Sequence, residues 1–151
     1  MPVIVVGADT PVGSAIVTAL QGRDGEIRAF VTDVDTGLAL KANGVKVAIG
    51  DVSDASHVGG ASIQCFSAVL VPEAAFDDRE RSFAEDAAGV LAGWAEALRD
   101  GGVRRAIVLE DDRLDLPALL RGCAPEIAYV PPGPHEELAA EVARLDDLAS
   151  L

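Results

Sequence analysis

Six short apolar runs, separated by stretches of helical character, constrain the fold of this chain more than any other feature. The runs that predict strands are Pro2–Val6, Ile27–Thr32, Val45–Ile49, Ala68–Val71, Arg105–Leu109 and Ile127–Val130. The stretches that predict helices are Pro11–Leu20, Thr36–Ala42, Ser53–Ala61, Arg79–Arg99, Leu116–Arg121 and Glu136–Leu148. Strands that alternate with helices favour a parallel sheet with right-handed crossovers. We therefore expect a single α/β domain over residues 1–151, a doubly wound six-stranded sheet with strand order 3-2-1-4-5-6.

The balance of charge disfavours several classes of function. The chain has 25 acidic and 12 basic residues among 151, a formal net charge of −13, and no basic stripe. Such a surface repels nucleic acid and anionic lipid. No apolar run approaches the roughly 20 residues of a membrane-spanning helix, and the start of the chain lacks the basic segment of a signal peptide. We therefore expect a cytoplasmic protein in which the isolated Cys65 and Cys123 are buried, reduced thiols.

The turn after the first predicted strand, Gly7–Gly13 (GADTPVG), has the features of an anion-binding loop. Glycine at position 7 allows a tight turn, and glycine at position 13 lets the following helix pack closely on the strand. The helix N-terminus then points free N–H groups at a ligand above the turn. In this Rossmann type of sheet, ligands bind at the carboxyl ends of the strands. The residues predicted here to bind a dinucleotide are Gly7, Ala8, Thr10, Pro11, Val12, Gly13 and, at the end of the fourth strand, Val71.

Several motifs in order along the chain resemble those of the atypical and extended short-chain dehydrogenase/reductase families, including NmrA-like NAD(P)-binding proteins. They are the Gly7–Gly13 turn, the segment Gly50–Asp54 (GDVSD), the run Gly102–Val108 (GVRRAIV) and Pro132-Gly133. The resemblance covers about residues 1–133. It implies that Asp51 contacts the adenine amine and that the backbone at Val52 lies beside the adenine ring.

The departures from that family concern cofactor binding and catalysis. Thr10 replaces the middle glycine of the turn, where a β-branched side chain crowds a pyrophosphate. The Tyr-x-x-x-Lys pair of the family is absent, since Tyr129 is the only tyrosine and no lysine follows Lys46. Where the resembled family has the part that clasps substrate, we expect one short helix, Glu136–Leu148. Because general acid–base catalysis needs a positioned proton donor, we expect no reductase turnover by the protein alone.

Acidic residues crowd the predicted ligand edge. They are Asp9, Asp33, Asp51, Glu73, Glu110, Asp111 and Asp112, with Arg79 and Arg113 as the only nearby basic candidates. A like-charge pair about 6 Å apart costs on the order of 2–3 kcal/mol, more than the roughly 0.3–1 kcal/mol that a helix N-terminus offers an anion. The run Glu110–Asp112 suits either a divalent metal or, as we favour, a solvated acidic loop. For His57 and His135, at predicted helix starts, we expect surface or capping roles.

Asp33 bears on which dinucleotide is preferred. It ends the second strand 20 residues after Gly13, where a carboxylate accepts hydrogen bonds from the adenosine ribose. This favours NAD(H) over NADP(H), because a 2′-phosphate would face a carboxylate. The alternative is that Asp33 only caps the Thr36–Ala42 helix.

Three functions are compatible with these features. The first is an NAD(H)-preferring protein that acts as a sensor or partner subunit with little or no oxidoreductase activity. The second is a cofactor-free domain that works through protein–protein contacts, and the third is an oxidoreductase with non-standard catalytic residues. The apolar stripe on the Arg79–Arg99 helix, which includes Phe83 and Trp94, predicts a homodimer through that helix.

Overall fold

The strands form the predicted sheet. In the computed structural model, residues 1–77 and 81–151 are described, and six strands pair in the order β3-β2-β1-β4-β5-β6. Every pairing is parallel; Val5 of the central strand, for example, lies opposite Ala29 on one side and Val69 on the other. The strands are β1 (Val3–Val6), β2 (Ile27–Val31), β3 (Lys46–Ile49), β4 (Ser67–Leu70), β5 (Arg105–Leu109) and β6 (Glu126–Val130). The predicted fold class and strand order are therefore confirmed.

Helices cover both faces of the sheet. They are α1 (Pro11–Gln21), α2 (Val34–Ala42), α3 (Ala55–Ser62), α4 (Ala87–Gly101), α5 (Leu116–Leu119) and α6 (His135–Asp147), and a 3-10 helix spans Pro72–Phe76. One apolar core lies under α1 and α6, and a second lies under α3, α4 and α5. Every residue of β1 is buried, because its side chains alternate between the two cores. In the described part of the chain, no helix is long and apolar enough to cross a bilayer.

The longest helix begins later than its sequence predicts. Of the predicted Arg79–Arg99 helix, Arg79 lies outside the described residues, and α4 begins only at Ala87. Asp86 is the N-cap, and its side chain accepts a hydrogen bond of 2.8 Å from the Gly89 amide. Phe83, predicted on the apolar stripe, precedes the helix and is 67% exposed. The apolar spacing was misleading because the amides of residues 82 and 83 donate to side chains of another loop.

The apolar stripe of α4 is covered within the chain. Val90, Leu91, Trp94 and Leu98 are all fully buried in the core under α3 and α4. The indole Nε1 of Trp94 also donates a 2.7 Å hydrogen bond to the carbonyl of Val52. The stripe therefore gives no reason to expect a subunit interface, and the homodimer stays a prediction without its original support.

A second correction concerns α3. The predicted helix begins at Ser53, whereas the observed helix begins at Ala55 with Asp54 as its N-cap, whose side chain accepts a hydrogen bond from the His57 amide. The hydroxyl of Ser53 is instead used in the loop before the helix. The cysteines are placed as predicted: Cys65 and Cys123 are free and buried, and burial raises the pKa of both thiols.

A buried arginine ties the amino edge of the sheet to the last helix. Arg105 has no exposed surface, although it is charged. Its Nη1 donates to the carbonyls of Leu145, Asp146 and Leu148 at 2.8, 3.2 and 2.7 Å. Its Nη2 lies 3.0 Å from a carboxylate oxygen of Glu126. A cation at a helix C-terminus satisfies carbonyls that have no partner within the helix, so Arg105 caps α6.

Replacing Arg105 with methionine should lower the free energy of unfolding by about 3 kcal/mol. The variant keeps apolar bulk but leaves several carbonyls without a donor, and the loss of a buried ionic partner is expensive. Arg104→Met is the matched control, because that neighbouring side chain is exposed, and it should change stability by no more than about 0.5 kcal/mol. Urea unfolding followed by circular dichroism measures both. Equal effects of the two variants would contradict the capping role.

Candidate functional site

The Gly7–Gly13 turn leaves no space for side chains at its two glycines. Gly7 has φ +92, and a Cβ there would lie 2.9 Å from the Cβ of Ala74 and 3.0 Å from that of Val71. A Cβ on Gly13 would lie only 2.1 Å from the carbonyl oxygen of Gly7. Glycine is therefore required at position 7 for the left-handed backbone and at position 13 for the approach of α1 to β1. Both requirements match those predicted from the sequence.

Thr10 uses one of the amides that an anion would need. As the N-cap of α1, its Oγ1 accepts a 3.0 Å hydrogen bond from the Gly13 amide and donates to the Gly7 carbonyl at 2.7 Å. Pro11 has no N–H to offer. The Val12 amide is then left without an acceptor among the described residues. The Thr10 hydroxyl thus competes with an anion for the Gly13 amide. From the residue type alone, we expect only that its side chain crowds the ligand.

Asp9 links the first two loops at this edge of the sheet. Its Oδ2 accepts hydrogen bonds from the amides of Thr32 and Asp33, at 2.9 and 3.0 Å. From the sequence, Asp9 was expected only to add negative charge to the rim. In the structure it holds the end of β2 against the turn after β1.

Asp33 is the N-cap of α2. Its Oδ2 accepts from the Thr36 amide at 2.9 Å and from the Thr36 hydroxyl at 2.6 Å. The capping alternative is therefore present in the structure, on a helix that begins at Val34 rather than Thr36. A contact between Asp33 and a ribose stays a prediction.

Asp51, which the resemblance predicts to contact the adenine amine, accepts hydrogen bonds from other residues of the chain. Oδ1 of Asp51 accepts from the amide and hydroxyl of Ser53, at 2.8 and 2.6 Å. Oδ2 accepts from the amide of Ser82 at 2.7 Å, and the Phe83 amide donates to Ser53 Oγ at 3.0 Å. We call Ser82–Phe83 the strap. Burial would raise the pKa of Asp51, but the hydrogen bonds from Ser53 and Ser82 outweigh it and lower that pKa.

The side chains of Val52 and Val71 turn into the apolar cores. Val52 is 2% exposed and belongs to the core under α3 and α4. Val71 is 1% exposed, lies in the core under α1 and α6, and packs against Gly7. Only the backbone of these two residues can therefore face a ligand at this edge.

Two adjoining cavities lie at the carboxyl ends of β5 and β6. The smaller, of about 250 Å³, reaches from Val12 to His135. The larger, of about 720 Å³, has Tyr129 and Leu116 in its lining. Glu110, Asp111, Arg113 and Pro132 line both cavities.

Arg113 forms part of the boundary between the cavities. Its guanidinium carbon lies 3.6 Å from the ring centroid of Phe76, a cation–π contact. Its Nε and Nη2 donate to the two carboxylate oxygens of Asp111 at 2.9 and 2.6 Å. These hydrogen bonds lower the pKa of Asp111. One carboxylate of the Glu110–Asp112 run is thus paired, and no three His, Cys, Asp or Glu in residues 1–77 and 81–151 form a metal-binding group.

The hydroxyl of Tyr129 is a weaker acid than that of an ordinary tyrosine. The residue lies in β6, and burial raises the pKa of its hydroxyl, with smaller contributions from Cys123 and Asp115. Within residues 1–77 and 81–151, neither histidine ring is paired with a nucleophile or a carboxylate side chain. The ring of His57 packs edge-on against Phe30 at 4.9 Å, and His135 is the first residue of α6.

Comparisons with known proteins show the fold. No family model and no curated protein sequence matches the chain. Triphenylmethane reductase from Citrobacter sp. superposes with a TM-score of 0.78 at 15% identity over 99% of this chain and 66% of its own. ChuY, an anaerobillin reductase from Escherichia coli O157:H7, gives 0.76 at 14% identity over 99% and 92%. An NADPH-dependent quinone oxidoreductase from Escherichia coli gives 0.73 at 15% over 98% and 64%. The chain thus spans just under two thirds of the first and third of these proteins.

The hydrogen bonds at Asp51 predict an acid-sensitive contribution to stability. Because the pKa of Asp51 is lowered by folding, its contribution is present above the ordinary value of 3.8 and is lost as the pH falls through the lowered value. At pH 7, Asp51→Asn should destabilise the protein by about 1–3 kcal/mol, since the amide side chain has only one acceptor oxygen and cannot serve both Ser53 and Ser82. The difference from wild type should shrink in strong acid.

Urea unfolding at several pH values measures this difference. Asp112→Asn is the control, because it removes an exposed carboxylate from another loop and should change stability by no more than about 0.5 kcal/mol. A pH-independent effect of Asp51→Asn would show that the charge of Asp51 does not matter.

Proposed function

We propose that this chain binds a nicotinamide dinucleotide, with NAD(H) preferred, and that it has little or no oxidoreductase activity of its own. The observation that carries the proposal is the Gly7–Gly13 turn. It follows the central strand of a 3-2-1-4-5-6 sheet, and its backbone excludes a side chain at both Gly7 and Gly13. A turn of this kind in this place brings a helix N-terminus against a pyrophosphate.

The folds of the solved structures support a nicotinamide dinucleotide as the class of ligand. Triphenylmethane reductase, the anaerobillin reductase and the quinone oxidoreductase share the architecture, and the last of these is NADPH-dependent. For this chain we propose NAD(H) instead, because carboxylates and no cation follow β2. No lysine or arginine occurs between Arg28 and Lys41.

The absence of turnover is proposed from the chemistry available. A reductase of the resembled families pairs a tyrosine with a lysine four residues later. Here the single tyrosine has a raised pKa, and Gly133 stands four residues after it. The carboxylate of Asp111 is held by Arg113. A protein that binds the cofactor without turning it over suits a sensor or a partner subunit.

A cofactor-free interaction domain is the second candidate, and one observation favours it. Groups of the chain itself already form hydrogen bonds with many of the amides and carboxylates that a ligand would contact. Thr10 holds the Gly13 amide, Asp9 holds the amides after β2, and Asp51 holds the strap. A dinucleotide that used the Gly13 amide or the Asp51 carboxylate would have to replace these hydrogen bonds, and each replacement reduces the net gain in free energy.

Calorimetric titration with NAD, NADH, NADP and NADPH separates the two candidates. We expect NADH to bind at least tenfold more tightly than NADPH, a difference of about 1.4 kcal/mol. At about 100 times its dissociation constant, the ligand should raise the free energy of unfolding by about 2.7 kcal/mol. No binding of any of the four would favour the cofactor-free domain. Sustained NADH oxidation abolished by one substitution in the cavities would contradict the absence of turnover.

Two replacements of Thr10 separate its hydroxyl from its bulk. Thr10→Gly frees the Gly13 amide and should tighten NADH binding about fivefold, the value of a hydrogen bond of about 1 kcal/mol. It should destabilise the free protein by only a few tenths of a kcal/mol, because glycine is an acceptable N-cap. Thr10→Ser removes the methyl group but keeps the hydroxyl, so its affinity should stay that of wild type. Tighter binding by the serine variant would show that steric crowding is the obstacle.

A further inference from the structure

We propose that Asp9 determines the choice between the two dinucleotides, by occupying the place that a 2′-phosphate would need. This inference rests on the proposed dinucleotide function and assigns its specificity to a residue of the first loop. The residue that the sequence points to, Asp33, lies in the next loop.

The Asp9 carboxylate lies where a 2′-phosphate would have to bind. The end of β2 is where the adenosine ribose lies in a sheet of this order. The amides of Thr32 and Asp33, the first two residues after β2, both point at Oδ2 of Asp9, at 2.9 and 3.0 Å. Two consecutive amides converging on one oxygen form a site for an anion. Here a carboxylate of the chain itself is that anion.

Two further donors of this loop are also engaged. The Thr36 amide and hydroxyl both donate to Asp33. Arg28, the nearest preceding cation in the sequence, donates to Glu26 and to the carbonyls of Ala61 and Ile63. A 2′-phosphate could therefore reach the two converging amides only by displacing Asp9 from them. It would then face the displaced carboxylate, a like charge, at short range.

A ribose hydroxyl meets no such obstacle. Oδ1 of Asp9 has no hydrogen-bond donor among the described residues. It can accept from a 2′-hydroxyl while Oδ2 keeps both amides. Oδ1 of Asp9 thus favours NAD(H) by accepting from the 2′-hydroxyl, and Oδ2 disfavours NADP(H) by holding the amides that a 2′-phosphate would need. The specificity therefore combines an attraction for one ligand with a repulsion of the other.

Two substitutions of Asp9 separate the effect of its negative charge from the effect of its hydrogen bonds to the two amides. Asp9→Asn keeps an acceptor for the two amides but removes the negative charge, whereas Asp9→Ala removes both. We expect the ratio of NADPH to NADH dissociation constants to fall at least tenfold in Asp9→Ala, and by a smaller factor in Asp9→Asn. Asp35→Asn is the control, because it removes an exposed carboxylate from the same segment; its ratio should stay within about twofold of wild type.

The experiment is calorimetric titration of each folded variant with NADH and NADPH, repeated with 5′-AMP and adenosine 2′,5′-bisphosphate. The two adenosine fragments differ only in the 2′-phosphate and so report on this loop alone.

An unchanged ratio in both Asp9 variants, with binding retained, would overturn the inference and leave the proposed function standing. If the ratio fell equally in Asp35→Asn, the net charge of the segment, and not the position of Asp9, would determine the preference between the dinucleotides. Failure of wild type and variants to bind any of these ligands would overturn both proposals. If Asp9→Ala does not fold, the conservative Asp9→Asn still decides, because its loss of charge alone must lower the ratio.

Discussion

The close approach of α1 to β1 is the constraint on which the centre of the carboxyl edge of the sheet depends. With no Cβ at Gly13, the first turn of α1 lies directly on the carbonyl of Gly7. That contact places Thr10 where its hydroxyl can cap the helix and leaves Asp9 directed at the end of β2. Ala74 of the 3-10 helix then packs on Gly7 from the other side. The positions of the loops after β1, β2 and β4 thus follow from one contact between two backbones.

The polar groups of this edge satisfy one another. Asp9 binds the amides after β2, Asp33 caps α2, Asp51 holds Ser53 and the strap, and Asp111 pairs with Arg113. Part of the negative charge that the sequence places against a phosphate is therefore engaged in hydrogen bonds or an ion pair within the protein. These groups need no ligand to satisfy them, so a ligand that bound to them would exchange one hydrogen-bond partner for another.

The fold was predictable from the sequence, while much of the site was not. Buried parallel strands such as Val3–Val6 are continuous apolar runs, and glycines at positions 7 and 13 are local signals of backbone geometry. The partners of Asp9 are 23 and 24 residues away, and Ser82 is 31 residues from Asp51. Hydrogen bonds between distant loops leave no local pattern, so the sequence shows Asp9 only as a charge. The same long-range bonds at Ser82 and Phe83 explain why apolar spacing placed the start of α4 too early.

The hydrogen bond between Trp94 and Val52 gives the molecule an internal reporter. Trp94 is the only tryptophan in the chain, and it is completely buried. Its indole Nε1 is held by the carbonyl of the residue that follows Asp51. Indole fluorescence depends on burial and on hydrogen bonding of the ring nitrogen. The intrinsic emission of this protein therefore reports on the loop that carries Asp51, without any label.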